Sequence, residues 1–78
     1  MYFGKKEFLT PEQIRINELK EELRNCEVML KRAEQMFDMT TDEYLIEARI
    51  YEIKSLIKHH DYLICTLKQL MRKETINV

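Results

Sequence analysis

The stretch that decides the fold is residues 16–37, INELKEELRNCEVMLKRAEQMF. Seven of its apolar residues are spaced alternately three and four positions apart without a break, and charged residues fill the opposite face. This spacing places the apolar side chains on one face of an α-helix and predicts a heptad seam that packs against another helix. The seam positions are Ile16, Leu19, Leu23, Cys26, Leu30, Ala33 and Phe37.

The residues before this stretch have the composition of a helix start. Thr10 is a favourable N-cap, and Pro11 follows at the first helical position, where its missing N–H costs nothing. The side chain of Gln13 can reach back to the Thr10 amide and close a capping box, and Leu9 and Ile14 occupy the two positions of a hydrophobic staple. The first helix is therefore predicted over about residues 11–38.

A second periodic run follows a short interruption at residues 38–43, DMTTDE. Thr40 and Glu43, three positions apart, predict a second capping box, and basic residues near position 70 suit the negative end of a helix. The second helix is therefore predicted over about residues 41–73. Its seam residues form two rows, which are Ile46, Ile50, Ile53, Ile57, His60, Ile64, Leu67 and Met71 in one and Leu56, Leu63 and Leu70 in the other.

A connection this short forces the two helices to run antiparallel. The prediction is an all-α, coiled-coil-like two-helix hairpin over residues 11–74, with an N-terminal extension at 1–10 and a tail at 75–78. With the turn near Met39, the predicted partners are Ala33 with Ile46, Cys26 with Ile53, Leu23 with Leu56, and Leu19 with His60. The residues expected to hold the hairpin together are Leu19, Leu23, Leu30, Phe37, Ile46, Ile53, Leu56, Ile57, Ile64 and Leu67.

The apolar stripe of the second helix is wider than one neighbouring helix can cover. A second copy of the chain would cover the surplus and complete a four-helix bundle, so a homodimer is expected. Two alternatives remain, which are that residues 1–10 fold back over this surface or that another protein binds it. The partner surface is expected around the exposed remainder of the second helix, at Tyr44, Tyr51, Tyr62, Leu63 and Leu70.

Length and composition limit the classes of function. A chain of 78 residues can build only a thin core, and a net charge of −1 gives no general attraction to nucleic acid or to anionic lipid. No apolar run is long enough to span a bilayer, and the first residues do not resemble a secretory signal. The sequence therefore predicts a cytoplasmic protein that contacts neither membrane nor nucleic acid.

The residues that carry chemistry in other proteins do not form a recognisable site here. Cys26 and Cys65 are predicted to be two buried free thiols, because the hairpin separates them by about 18 Å along its axis. His59 and His60 have no further ligand one helical turn away, so no metal site within one chain, no catalytic residue and no cofactor is predicted. His60 is instead expected to fix the register of the seam. If its imidazole is desolvated there, protonation below about pH 6 should weaken the packing.

One segment resembles a known family. It runs from Phe37 to Ser55, FDMTTDEYLIEARIYEIKS, and its non-periodic pairs are Phe37-Asp38, Thr41-Asp42 and Ile50-Tyr51. It resembles the YaaL-like family of short proteins from Gram-positive bacteria, over roughly residues 19–68, and departs from it at His59-His60. That family is a domain of unknown function. The resemblance therefore implies the helical hairpin and a bacterial cytoplasmic origin, and it assigns no catalytic residue.

A second resemblance concerns the helical-hairpin phosphatases of the sporulation phosphorelay. Their motif is Ser-Gln-Glu-Leu-Asp, and the nearest match here is IYEIK at residues 50–54, which lacks the Ser, the Gln and the Asp. The prediction is therefore a small non-enzymatic protein–protein interaction module. The alternatives are a phosphorelay regulator and, after it, a nucleic-acid-binding accessory protein.

Overall fold

The computed structural model describes the backbone of residues 9–76 and the side chains of residues 9–73. In this part of the chain there are two α-helices and no strand: α1 (Pro11–Met39) and α2 (Glu43–Ile76). At 1.5 Å per residue they are about 44 and 51 Å long. The two helices contact each other along their length, which confirms the all-α two-helix architecture.

Helix α1 begins as the sequence predicts. The Thr10 hydroxyl accepts a hydrogen bond from the Gln13 amide, 3.1 Å between the heavy atoms, and the Gln13 side chain accepts one from the Thr10 amide at 3.0 Å. This capping box satisfies two of the amide groups that a helix start leaves without intrahelical partners. All seven predicted seam residues of α1 are buried or half-buried, which confirms the seam of the first helix.

The predicted capping box at the second helix start is wrong. Thr40 ends α1: its amide donates to the carbonyl oxygen of Phe37, and its hydroxyl donates to that of Met36. Asp42 caps α2, because its Oδ1 accepts hydrogen bonds from the amides of Tyr44 at 2.9 Å and Leu45 at 3.4 Å. Asp is among the strongest N-cap residues and carries a charge that the positive helix end favours, so it takes this position.

The helices are antiparallel and their register is symmetric about Thr41. Moving forward along α1 from Glu22 to Cys26, the contacts on α2 move backward from His59 to Leu56. The predicted register was centred near Met39 and is wrong by about three residues, because the connection consists of residues 40–42 and its centre is Thr41. The tail predicted at 75–78 begins too early, since α2 continues to Ile76.

The core of the hairpin is small and lies away from the turn. Leu19 and Leu63 are its two largest fully buried side chains, and Leu23, Leu56 and Leu70 pack around it. Between Cys26 and the turn, Ala33 is the one buried hydrophobic residue among those that the structure describes. The suggestion that residues 1–10 cover surplus apolar surface concerns mainly residues 1–8, which lie outside the described part. The core cluster consists of Ile16, Leu19, Cys26, Leu63 and Leu67.

Candidate interaction surface

Helix α2 presents one face to α1, which we call the α2 seam. Its positions alternate three and four residues apart, and every one of them is buried or half-buried. Two of the eight positions hold polar residues, Arg49 and His60, so the seam is less apolar than that of α1. The α2 seam consists of Ile46, Arg49, Ile53, Leu56, His60, Leu63, Leu67 and Leu70.

A second apolar row lies beside the α2 seam, and we call it the isoleucine row. It consists of Ile50, Ile57 and Ile64, which repeat every seven residues. Ile50 and Ile64 are half-buried, and Ile57 is 44% exposed. Ile57 was predicted to hold the hairpin together, and this is wrong. Leu56 takes the position against α1, and the next residue along a helix points about 100° away from it.

The three tyrosines of the candidate interface lie on the outer face of α2, opposite the α2 seam. Tyr44, Tyr51 and Tyr62 are all exposed, with Tyr44 the most exposed at 89%. Leu63, predicted as part of the same exposed surface, is fully buried because it belongs to the seven-residue row that packs against α1. Leu70 is half-buried against the core. The predicted interface residues therefore divide between the core and the outer face.

Two adjacent histidines of α2 bridge to α1 on opposite sides of the seam. His59 Nε2 lies 3.4 Å from Glu22 Oε2, and His60 Nε2 lies 3.2 Å from Glu27 Oε2. The side chain of His60 is 28% exposed, and the expected loss of packing at low pH stays a prediction. The two pairs therefore connect the helices on both sides of the seam.

The two cysteines occupy different environments. Both are free thiols, Cys26 in the core and Cys65 exposed on the outside of α2. The prediction of two buried thiols is therefore wrong for Cys65, which lies between the seam positions Leu63 and Leu67 and so points outward. Burial raises the pKa of the Cys26 thiol above its ordinary value, and the carboxylates of Glu27 and Glu22 add to that increase.

The segment compared with the phosphatase motif forms part of the hairpin. Its acidic residue, Glu52, pairs with Arg49, with Oε1 lying 3.3 Å from Nη1. Arg49 occupies a seam position, and its Nε is buried without a hydrogen-bond partner within the described chain. Sequence reasoning missed this arginine, although its position three residues after Ile46 and four before Ile53 places it on the same seam.

Other candidate sites in the described residues are few. No group of three or more His, Cys, Asp and Glu side chains there is arranged to hold a metal ion. An open groove of about 540 Å³ is lined by the staple residues Leu9 and Ile14 together with Asn17, Glu18 and Glu21. Over residues 9–76, neither helix combines the length and the apolar character needed to span a bilayer.

Comparisons of the chain with protein-family models, with curated proteins and with solved structures found no match.

Proposed function

We propose that this chain is a non-enzymatic protein–protein interaction module. In this proposal two copies associate through α2 and make a four-helix bundle. The observation that carries the proposal is the isoleucine row, a regular apolar surface beside the α2 seam that the hairpin leaves partly exposed. Ile57, at its centre, is 44% exposed.

The thin core supports self-association. Only six hydrophobic residues of the described chain are buried, so the core contributes little stability. Complete burial of one further isoleucine would contribute about 1.5–3 kcal/mol. A two-fold pairing would bury Ile50, Ile57 and Ile64 from both copies at once. Small domains commonly gain the stability that their own core lacks by such oligomerisation.

The non-enzymatic part of the proposal rests on what the reactive side chains of the described residues do. His59 and His60 bridge the two helices through Glu22 and Glu27, and the thiol of Cys26 is buried in the core. These groups hold the hairpin together, which is a structural use of residue types that elsewhere perform acid–base or nucleophilic chemistry.

We also propose membership of the YaaL-like family and a bacterial cytoplasmic location. Two residues of the segment that resembles this family build the turn of the hairpin: the Phe37 carbonyl accepts a hydrogen bond from the amide of Thr40, directly after α1, and Asp42 caps α2. In this proposal their contribution is to connect the two helices.

The proposal is tested by light scattering over a concentration series. We expect a mass of twice 9.6 kDa, and we expect Ile57→Asp to shift the mass towards that of one chain. Tyr51→Asp is the matched control, because it adds the same charge on the outer face of the same helix, and circular dichroism should show both variants to be helical. A mass of one chain at all concentrations would contradict the proposal. Dissociation by Tyr51→Asp alone would move the interface to the tyrosine face.

A further inference from the structure

A regular set of charged residues borders the isoleucine row on its outer side. Each of these charged residues lies three positions before or four positions after an isoleucine, and is therefore a surface neighbour of one or two isoleucines. They are Glu47, Lys54, Asp61 and Lys68. All four are exposed. Within the described chain none of them makes a hydrogen bond or an ion pair, although Arg49 and Glu52 on the same helix do.

Two of these charges lie beside a like charge on the same helix. Two like-charged pairs lie four residues apart, Glu43 with Glu47 and Lys68 with Arg72, and such pairs repel each other. The helix dipole compensates for acids at the first turn and for bases at the last. It does not act on Lys54 and Asp61, which lie in the middle of α2.

The order of charges along α2 is complementary to the same order read in the opposite direction. The six residues form three pairs, each symmetric about the position between Ile57 and Lys58, and each pair joins an acid to a base. We propose that α2 pairs with α2 of a second copy in antiparallel orientation about a two-fold axis close to Ile57. The interface ion pairs are then Glu43 with Arg72, Glu47 with Lys68, and Lys54 with Asp61 of the second copy. This inference rests on the proposed self-association.

The isoleucine row fits an axis within half a residue of that position, at Ile57. Reversal about Ile57 places Ile50 opposite Ile64 of the second copy and Ile57 opposite itself, so apolar residues meet in the centre with ion pairs along the border. In a parallel pairing, the charged border of one copy would lie on the opposite side of the interface from that of the other copy, so none of these ion pairs could form. On α1 the same side of the hairpin carries Glu27, Glu34 and Lys20, so α1 of the second copy offers no matching apolar row.

Charge reversal tests the proposed pairs. Lys54→Glu places two acids beside each other at both symmetry-related positions, so we expect the dimer dissociation constant to rise about tenfold. Asp61→Lys should have the same effect, and the double variant K54E/D61K should restore the original constant. Arg32→Glu, an equal charge change at an exposed position of α1, is the control and should leave it unchanged. A dimer insensitive to both single changes, or not rescued in the double variant, would overturn the inference.

Cysteine crosslinking tests the orientation. In a Cys65→Ser background, Ile50→Cys chains and Ile64→Cys chains carrying different tags are mixed and oxidised. We expect the mixed disulfide and neither homodimeric one. The reason is that antiparallel pairing separates position 50 of one copy from position 50 of the other by about 21 Å along the helices. A disulfide needs Cα atoms within about 7 Å of each other.

The outcomes distinguish this inference from the proposed function. A dimer with 50–50 and 64–64 disulfides is parallel, which overturns the inference and leaves the interaction module standing. A chain that stays monomeric in light scattering overturns both.

Discussion

The thiol of Cys26 in α1 donates a hydrogen bond to the main-chain carbonyl oxygen of Leu56 in α2, with Sγ and O 3.5 Å apart. This contact brings a side chain of one helix against the backbone of the other, which a bulkier residue at position 26 would prevent. It also places residues fifteen positions before and fifteen after Thr41 opposite each other. The cysteine is therefore a packing residue of the seam.

The two thiols should differ in reactivity. Cys65 is exposed, whereas Cys26 is buried and has a raised pKa, so the reactive thiolate forms less readily at Cys26. We expect a colourimetric disulfide reagent at pH 8 to titrate one thiol per native chain quickly, and both thiols in denaturant. The Cys65→Ser variant should show almost no fast reaction. Fast reaction of that variant would mean that the seam opens readily.

The raised pKa of Cys26 also predicts how stability depends on pH. Because the folded-state pKa lies above the unfolded one, the neutral thiol contributes its full stabilisation below the ordinary pKa of 9.0. That contribution is lost as the pH rises through the folded-state pKa. We expect the free-energy difference between wild type and Cys26→Ala to be constant from pH 7 to 8 and to shrink above pH 9. The measurement is urea unfolding at each pH, and a difference that grows above pH 9 would contradict the assignment.

Leu63→Ala should destabilise the hairpin strongly. Leu63 is fully buried, and removal of a buried leucine side chain costs about 2–5 kcal/mol. This is a large part of the stability available to a domain of this size. Tyr62→Ala, at the neighbouring exposed position, should change the midpoint of thermal unfolding little. If Leu63→Ala unfolds at the same temperature as Tyr62→Ala, Leu63 is not in the core.

These two residues illustrate what the sequence can and cannot predict. Helix α1 has a single continuous apolar row, so only one of its faces can pack against α2. Its whole seam therefore follows from the three-and-four spacing. Helix α2 has two rows, one through Leu63 and one through Ile57, and both repeat every seven residues. Which of them packs on α1 depends on the rotation of α2, which the capping residue and the turn determine. The periodicity of α2 alone does not contain that information.

The turn shows a similar competition between local signals. Thr40 and Asp42 are both good N-cap residues, and the choice between them moves the centre of the turn and with it the whole register. Asp42→Ala should cost about 1 kcal/mol of unfolding free energy, because the amides of Tyr44 and Leu45 lose their acceptor. Thr41→Ala, at an exposed position of the same connection, is the control and should cost little. Equal losses in the two variants would argue against Asp42 as the cap.

His60→Leu should stabilise the hairpin. His60 lies on the α2 seam, and a polar residue at such a position fixes the register at a cost in stability. A leucine there would extend the apolar contact with α1 and raise the unfolding free energy by about 1 kcal/mol, although the contact with Glu27 is lost. The matched control is His59→Leu, whose side chain is 45% exposed, and it should gain nothing. The measurement is urea unfolding at pH 8, and a loss of stability in His60→Leu would show that the Glu27 contact outweighs the packing.

The position of the core away from the turn determines the order in which the hairpin can form. Contacts near Thr41 close short loops and so cost little conformational entropy, but the residues there bury little apolar surface. Leu19 and Leu63 must close a loop of more than forty residues before their burial contributes. The two ends of the hairpin therefore have opposite roles in folding. The turn end brings the helices together quickly, and the far end keeps them together, so its amide hydrogens should exchange with solvent last.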